Sequence, residues 1–296
     1  MTTVGMLIGR SSNQSMHKPV LLKESIEGLD LKPGEAFLDA TYGKGGHSRE
    51  VLRRYPTVRL IAIDQDPAAA EAMAGRPESK VITTNFRDLD QVVNEKVDAI
   101  LFDLGFSSDQ LEGGVLGLSF LRDEPLDMRL GKQGPTAADI LNSWDEHAIE
   151  LILRGFGEEK FSRKIAKEIV SRREVKPFQN TFDLGEAVLA VKPKSWRDKI
   201  HPATKTFQAL RIATNEELTA LEIGLVKGFE TLRAGGRLAV ISFHSLEDRI
   251  VKNFFRDKVK EGKAIKITNK PIIPSTEEVK ENPRSRSAKL RVIEKI

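Results

Sequence analysis

Four short apolar runs punctuate the first third of the chain, each closing on polar or glycine residues: AFLDAT (36–41), RLIAIDQD (59–66), KVITTNF (80–86) and VDAILFDLG (97–105). Helix-like stretches, SREVLRRY and PAAAEAMA, separate the first pairs, and this alternation predicts parallel βαβ units in a doubly wound sheet. After Gly105 the pattern breaks. SSDQLEGGVLGLSFLRDEPLDMRLGKQGP carries five glycines without a sustained period and reads as a long ordered loop. Helices follow. SWDE (143–146) has capping-box spacing ahead of AIELIL, and Phe161, Ile165 and Ile169 recur every four residues in EEKFSRKIAKEIVSRREV. In the last third, Leu218, Leu221, Leu225, Phe229 and Leu232 form a helical stripe, RAGGRLAVISFHS reads as a glycine turn feeding a buried strand, and KLRVIEK (289–295) as a final strand. The simplest organisation is a tail over 1–16, a sheet domain built from 17–112 and 204–296, and a helical insert over 113–203.

Composition narrows the chemistry. The chain has 296 residues, 40% hydrophobic and 30% charged, as expected of an ordinary globular protein, with no run long enough for a membrane span. A cytoplasmic location without a membrane partner is expected. The absence of cysteine excludes disulfides, iron–sulfur clusters, thiolate zinc sites and thiolate nucleophiles. No metal-ligand cluster is evident. A net charge of +4 is compatible with a polyanionic partner and equally common without one. The cations of the helical segment, Arg163, Lys164, Lys167, Arg172 and Arg173, lie mostly off its apolar stripe, which fits either a solvated face or RNA contact.

The stretch DATYGKGGHS (39–48) follows the first predicted strand. Glycines there let backbone approach a ligand closely. Asp64 ends the second strand, 25 positions after Asp39, where nucleoside-binding Rossmann-like folds place an acceptor for ribose hydroxyls. A Walker A ending is missing, and Gly43-x-Gly45-Gly46 is not the dinucleotide fingerprint. S-adenosylmethionine, which carries no phosphate, fits these features. Phe86 is placed either to pack on adenine or to fill the core, and Asp103 ends the fourth strand, where open α/β sheets form their crevice.

Together with HKPVLLKE, IAIDQDP, FDLGFSSDQLE, LSFLRDEPLDMRL, GEEKFSRKIA, HPATKTFQALRIATNEEL, GGRLAVISFHSLEDRIVK and NPRSRSAKLR, this stretch resembles the bacterial ribosomal RNA small-subunit methyltransferase H family, also called MraW, over nearly the whole chain. The resemblance implies an α/β, class I Rossmann-like S-adenosylmethionine-dependent methyltransferase sheet domain with an inserted helical substrate-recognition domain. It implies N4-methylation of a cytidine in the decoding centre of 16S rRNA, and cofactor positions at Gly45, Gly46, His47, Asp64, Phe86, Asp103 and Gln110. Asp109 and Glu124 replace a proline and a glycine frequent in that family, and the tail lacks a cysteine-containing segment that some members carry. The partner implied is 16S rRNA in an assembling or assembled small subunit; a homodimer stays open.

The N4 amine of cytosine is nucleophilic only when an acceptor draws on its N–H, so a carboxylate or carbonyl must lie within hydrogen-bond reach. Asp103 is the candidate, with Ser107 and Ser108 nearby, although DLGFSS is not the usual amino-methyltransferase tetrapeptide. Covalent methylation at C5 through cysteine is closed. His244, Ser245, Asp248 and Arg249 crowd within six residues, too close for a hydrolytic triad, and base or phosphate contact is the expected role. His201, Lys205 and Arg211 are similar candidates for RNA contact. Asp127 and Arg129 either pair internally or line a lid over a flipped cytidine. Two other readings remain open: an amine methyltransferase on a different substrate, and an RNA-binding assembly factor without catalysis.

Overall fold

The computed structural model describes residues 18–67, 69, 80–105, 116–131, 134–195 and 200–296. Its centre is a seven-stranded sheet in the order β3-β2-β1-β4-β5-β7-β6. The strands are β1 (Ala36–Asp39), β2 (Arg59–Asp64), β3 (Lys80–Thr83), β4 (Val97–Asp103), β5 (Leu232–Ser242), β6 (Ala264–Lys266) and β7 (Lys289–Lys295). The first five are mutually parallel, as the apolar runs predict. β7 runs antiparallel between β5 and β6, which the sequence pattern did not announce.

Side-chain alternation along the strands builds two faces. In β4, Ile100 and Phe102 join the cluster that holds Leu221, Leu225 and Phe229 of α9 (Glu217–Thr231) and Val251 and Phe255 of α10 (Ser245–Lys260). Ala99 and Leu101 face the other way, with Ile26 and Leu29 of α1 (Leu22–Leu29) and Val51 of α2 (Gly46–Arg54). The short α3 (Leu89–Val92) lies between β3 and β4 in the chain. Because β1 pairs with β2 on one side and β4 on the other, the connections leave the carboxyl ends of β1 and β4 in opposite directions, which opens a crevice there.

A third core is separate in composition. It gathers Leu118, Leu126 and Met128 with residues of α4 (Ala137–Ser143), α5 (Glu146–Gly155), α6 (Ser162–Arg173), α7 (Thr181–Val191) and α8 (Thr204–Asn215). Phe207, Ala209 and Leu210 of α8 belong to this cluster, whereas α9 packs on the sheet. The start of α5 differs from the sequence expectation. Ser143 ends α4, and Asp145 is the cap, its carboxylate accepting the Ala148 N–H at 2.8 Å.

The stretch 116–131 is ordered by backbone bonds. Leu126 N–H donates to the Gln179 carbonyl, Thr181 N–H to the Glu124 carbonyl and Met128 N–H to the Leu116 carbonyl, while Asn215 Nδ2 donates to the Met128 carbonyl. Glu124 is buried; its Oε2 accepts the Gly117 N–H. The last helix, α11 (Thr276–Glu281), precedes β7. Among the described residues no helix is long and apolar enough to cross a membrane.

Candidate active site

The glycine loop bends tightly around its own neighbours. Gly43 and Gly45 hold φ of 52° and 67°, left-handed values that favour glycine. A Cβ on Gly45 would stand 2.3 Å from the Tyr42 ring, and one on Gly46 2.3 Å from Pro19. The loop is thereby pressed flat, and α2 begins at Gly46 with no side chain capping its first turn.

Three carboxylates converge on this loop. Asp39 is 2% exposed and accepts the Ser48 hydroxyl at 2.5 Å and the Thr41 N–H at 3.2 Å. Burial pushes its pKa up to about 6 from 3.8, against the pull of those two bonds and helped by Asp64. Asp64 accepts the Gly43 N–H at 2.6 Å and the Asp66 N–H at 2.8 Å, and burial raises its pKa despite them. Asp103 is fixed through its own N–H, which donates to Thr41 Oγ1 at 2.6 Å and so ties the ends of β1 and β4 together. Its carboxyl is raised well above the usual range, first by burial and then by Asp39 and Glu247.

His47 completes the set. Its Nε2 lies 3.1 Å from the Val20 carbonyl, which can only accept, so Nε2 carries a proton and Nδ1 faces Asp103 Oδ2 at 3.5 Å. The pair holds one proton between Nδ1 and Oδ2 when the acid is neutral or the imidazole is cationic. Asp103 Oδ1 is buried without a hydrogen-bond partner among the described residues, although the side chain as a whole keeps 22% of its surface. No lysine or arginine among the described residues pairs with Asp39, Asp64 or Asp103. A cationic ligand would restore the anionic forms that burial disfavours, whereas a phosphate would meet carboxyls with no cation beside them.

Phe86 fills the core role that its sequence position allowed. Its ring meets Phe102 edge-on at 5.4 Å and fills the notch left by Gly224, where a Cβ would come within 2.6 Å of it, yet it remains only partly buried. Gln110, Ser107 and Ser108 lie outside the described residues.

The remaining candidates divide. Asp127 and Arg129 form a bidentate pair, at 2.6 and 2.9 Å, with a further bond from Arg129 to the Gly134 carbonyl. Arg129 accordingly holds the Asp127 carboxyl below its usual pKa. His201 stacks on Phe120 at 4.3 Å and its Nδ1 accepts the Ala203 N–H; burial and Lys194 lower its pKa. Lys205, Ser245 and Arg249 meet at one residue that the sequence reading passed over, Glu158. Lys205 Nζ donates to its carbonyl at 2.9 Å, and Ser245 and Arg249 donate to its two carboxylate oxygens at 3.0 Å each. Asp248 is tied instead to Lys289 and Arg291 of β7.

His244 caps α10. Its Nδ1 faces the Glu247 N–H, and Glu247 Oε2 accepts the N–H groups of Phe243 and His244. Burial opposes the Glu247 anion, but His244, the Phe243 N–H and Arg211 together hold its pKa below the usual value. Glu217, His244 and Glu247 bring their ligand atoms within 4.8 Å of one another. A cation is already provided there: Arg211 binds Glu217 through two bonds of 2.8 Å. Arg211 is thus a half-buried structural link to Glu217 rather than the RNA contact expected of it. Glu247 was legible only as the acid of a His-x-x-Glu capping box.

The model of the MraW methylase family matches residues 14–296. Proteins named ribosomal RNA small subunit methyltransferase H are 44% identical to the chain: that of Carboxydothermus hydrogenoformans over 95% of this chain and 98% of its own, and that of Synechococcus elongatus over 98% and 99%. A solved rRNA methylase from Streptococcus thermophilus is 12% identical, with a TM-score of 0.45 over 95% of this chain and 98% of that one. With a family model spanning 14–296 and relatives of this identity along nearly their full length, the chain belongs to the MraW methylase family.

Proposed function

We propose that the protein transfers a methyl group from S-adenosylmethionine to N4 of a cytidine in the decoding centre of 16S rRNA, taken as part of an assembling or assembled small subunit. The observation that carries this reading is the trio Asp39, buried, and Asp64 and Asp103, half-buried, carboxyls with raised pKa values and no arginine or lysine partner among the described residues. The names of the 44%-identical relatives support small-subunit rRNA as the substrate, and the family resemblance and the acceptor at Asp103 support the N4 position.

When bound, S-adenosylmethionine supplies a methyl group on a cationic sulfur that leaves as a neutral thioether. The chain's residues do the rest. Asp64 keeps lone-pair capacity beyond its bonds to the Gly43, Gln65 and Asp66 N–H groups to receive ribose hydroxyls. The tight loop at Gly45 and Gly46, packed on Tyr42 and Pro19, brings bare backbone to the nucleoside, and the open part of Phe86 offers adenine a ring. Asp103 Oδ1 accepts an N–H of the amine and frees its lone pair. The amine proton passes to the Asp103 carboxylate, whose other oxygen faces His47 Nδ1. The helical core of α4–α8 serves as the substrate-recognising unit, with Lys205, His201, His244, Ser245 and Arg249 at its junction with the sheet domain.

Nucleoside analysis of small-subunit rRNA from cells lacking the protein, with and without the gene restored, tests the proposal. Loss and recovery of N4-methylated cytidine in the decoding centre are expected. An unchanged methylation pattern with intact cofactor binding redirects the activity to another amine, and absent cofactor binding leaves a non-catalytic RNA-binding factor.

A further inference from the structure

We infer that Lys160, Arg163, Lys164 and Lys167 form a track for the RNA sugar–phosphate backbone, leading outward from the crevice edge along α6; the inference rests on the rRNA reading above.

Arg163, Lys164 and Lys167 lie on the face of α6 opposite Ile165, Ala166 and Ile169, which are buried, and Lys160 stands in the turn just before it. All four are exposed, and none makes a hydrogen bond or ion pair with a described residue. Their neighbours behave differently. Arg172 is taken by Glu168, Arg173 by the carbonyls of Leu141 and Trp144, Lys176 by Asp183, and Lys192 by Glu159. The basic face read from the sequence therefore splits into cations used internally and four left for solvent or a partner.

Placement argues against idle solvation. Arg163 and Lys164 lie in the first turn of α6, where the helix dipole is positive and acidic side chains are favoured, yet no acid is present there and no side chain caps the turn. Local stability would be better served by the opposite charge. Phe161, 40% exposed, adds a ring beside the cations, the pairing of stacking surface and positive charge that single-stranded RNA uses.

The track is also continuous with the proposed active site. Glu158, two residues before Lys160, is gripped by Ser245 and Arg249 at the start of α10 and by Lys205 of α8. A strand whose target base enters the crevice would thus leave over Lys205 and Arg249 and continue along α6. A polyanion matches such a row; an acidic peptide lacks a reason to be near a methyl-transfer crevice.

The test compares two variants of the full chain that lose the same charge. One is K160Q/R163Q/K164Q/K167Q; the other is K252Q/K266Q/K270Q/K280Q, which alters exposed lysines elsewhere. Affinity for a fluorescein-labelled RNA spanning the small-subunit decoding centre is measured from 50 to 200 mM salt, beside S-adenosylmethionine affinity and methyl-transfer kinetics. The track variant is expected to bind RNA at least about tenfold more weakly at 50 mM salt. Its slope of log K against log salt should fall by about 2 to 3, four contacts at about 0.7 each for single strands. KM for RNA should rise with kcat and cofactor affinity preserved, while the control variant stays near wild type. Equal behaviour of the two variants, or an unchanged slope in the track variant, overturns the track while leaving the rRNA reading intact. Wild-type protein that neither binds nor methylates this RNA overturns the rRNA reading, and the track with it.

Discussion

Replacing Asp39 by asparagine should change the pH dependence of stability in a direction opposite to that of most surface carboxylates. The folded carboxyl keeps its proton up to about pH 6, whereas the unfolded one releases it near 3.8. Between those values the native state binds more protons, so raising the pH through this window lowers stability. At about 1.4 kcal/mol per tenfold in proton affinity, the full gap amounts to about 3 kcal/mol, of which about 2.4 kcal/mol is lost between pH 4 and pH 7. Asparagine cannot ionise and still accepts the Ser48 hydroxyl, so the difference between Asp39→Asn and wild type should move by about 2.4 kcal/mol in the variant's favour over that range. Easing the repulsion on Asp103 adds in the same direction. Urea unfolding followed by circular dichroism at fixed ionic strength, from pH 4 to 7.5, reads this difference directly, and subtraction removes titrations common to both proteins. A difference that stays flat, or that shrinks as pH rises, would refute the claim that Asp39 is a buried carboxyl held against its charge.

Asp103→Asn should lower the single-turnover rate of methyl transfer by about 100- to 10,000-fold, the usual worth of a general base, while the protein remains folded by circular dichroism. Gly45→Ala places a Cβ 2.3 Å from the Tyr42 ring at a left-handed φ, so it should cost about 1 to 3 kcal/mol in urea unfolding and weaken cofactor binding in calorimetry. Arg211→Met leaves Glu217 and Glu247 without their shared cation and should destabilise by about 3 kcal/mol, with part of the loss recovered when Glu217→Gln is added in a double-mutant cycle.

The sequence made the parallel half of the sheet readable because β1, β2 and β4 are short apolar runs buried on both faces, and each ends where polarity rises. β7 was readable as a strand but not as an antiparallel one lodged between β5 and β6, since pairing partners are chosen by contacts remote in the chain. The apolar residues of α8 do not by themselves say which core buries them; Phe207 and Leu210 join the helical cluster. At SWDE two capping residues compete, and only geometry shows Asp145 reaching the Ala148 N–H.

At the site, Asp64 and Asp103 were legible because strand ends are where open sheets bind ligands. Asp39 was visible only as a spacing mark, since its burial depends on Ser48 and Thr41 folding over it. Glu158 was hidden because its partners, Lys205, Ser245 and Arg249, come from distant segments. The same folding explains why Arg211 looked available in the sequence and is instead committed to Glu217.

The central claim is that a cleft of three carboxyls, without an arginine or lysine partner among the described residues, selects a cationic nucleoside. Isothermal titration of S-adenosylmethionine, S-adenosylhomocysteine and ATP from pH 5 to 8 tests it most directly, because the first two share everything but the methyl group and the positive charge on sulfur. The account predicts that the affinity ratio of S-adenosylmethionine to S-adenosylhomocysteine rises as pH climbs through about 6, where Asp39 ionises, with ATP the weakest ligand throughout. A ratio indifferent to pH, or ATP bound more tightly than either, would contradict it.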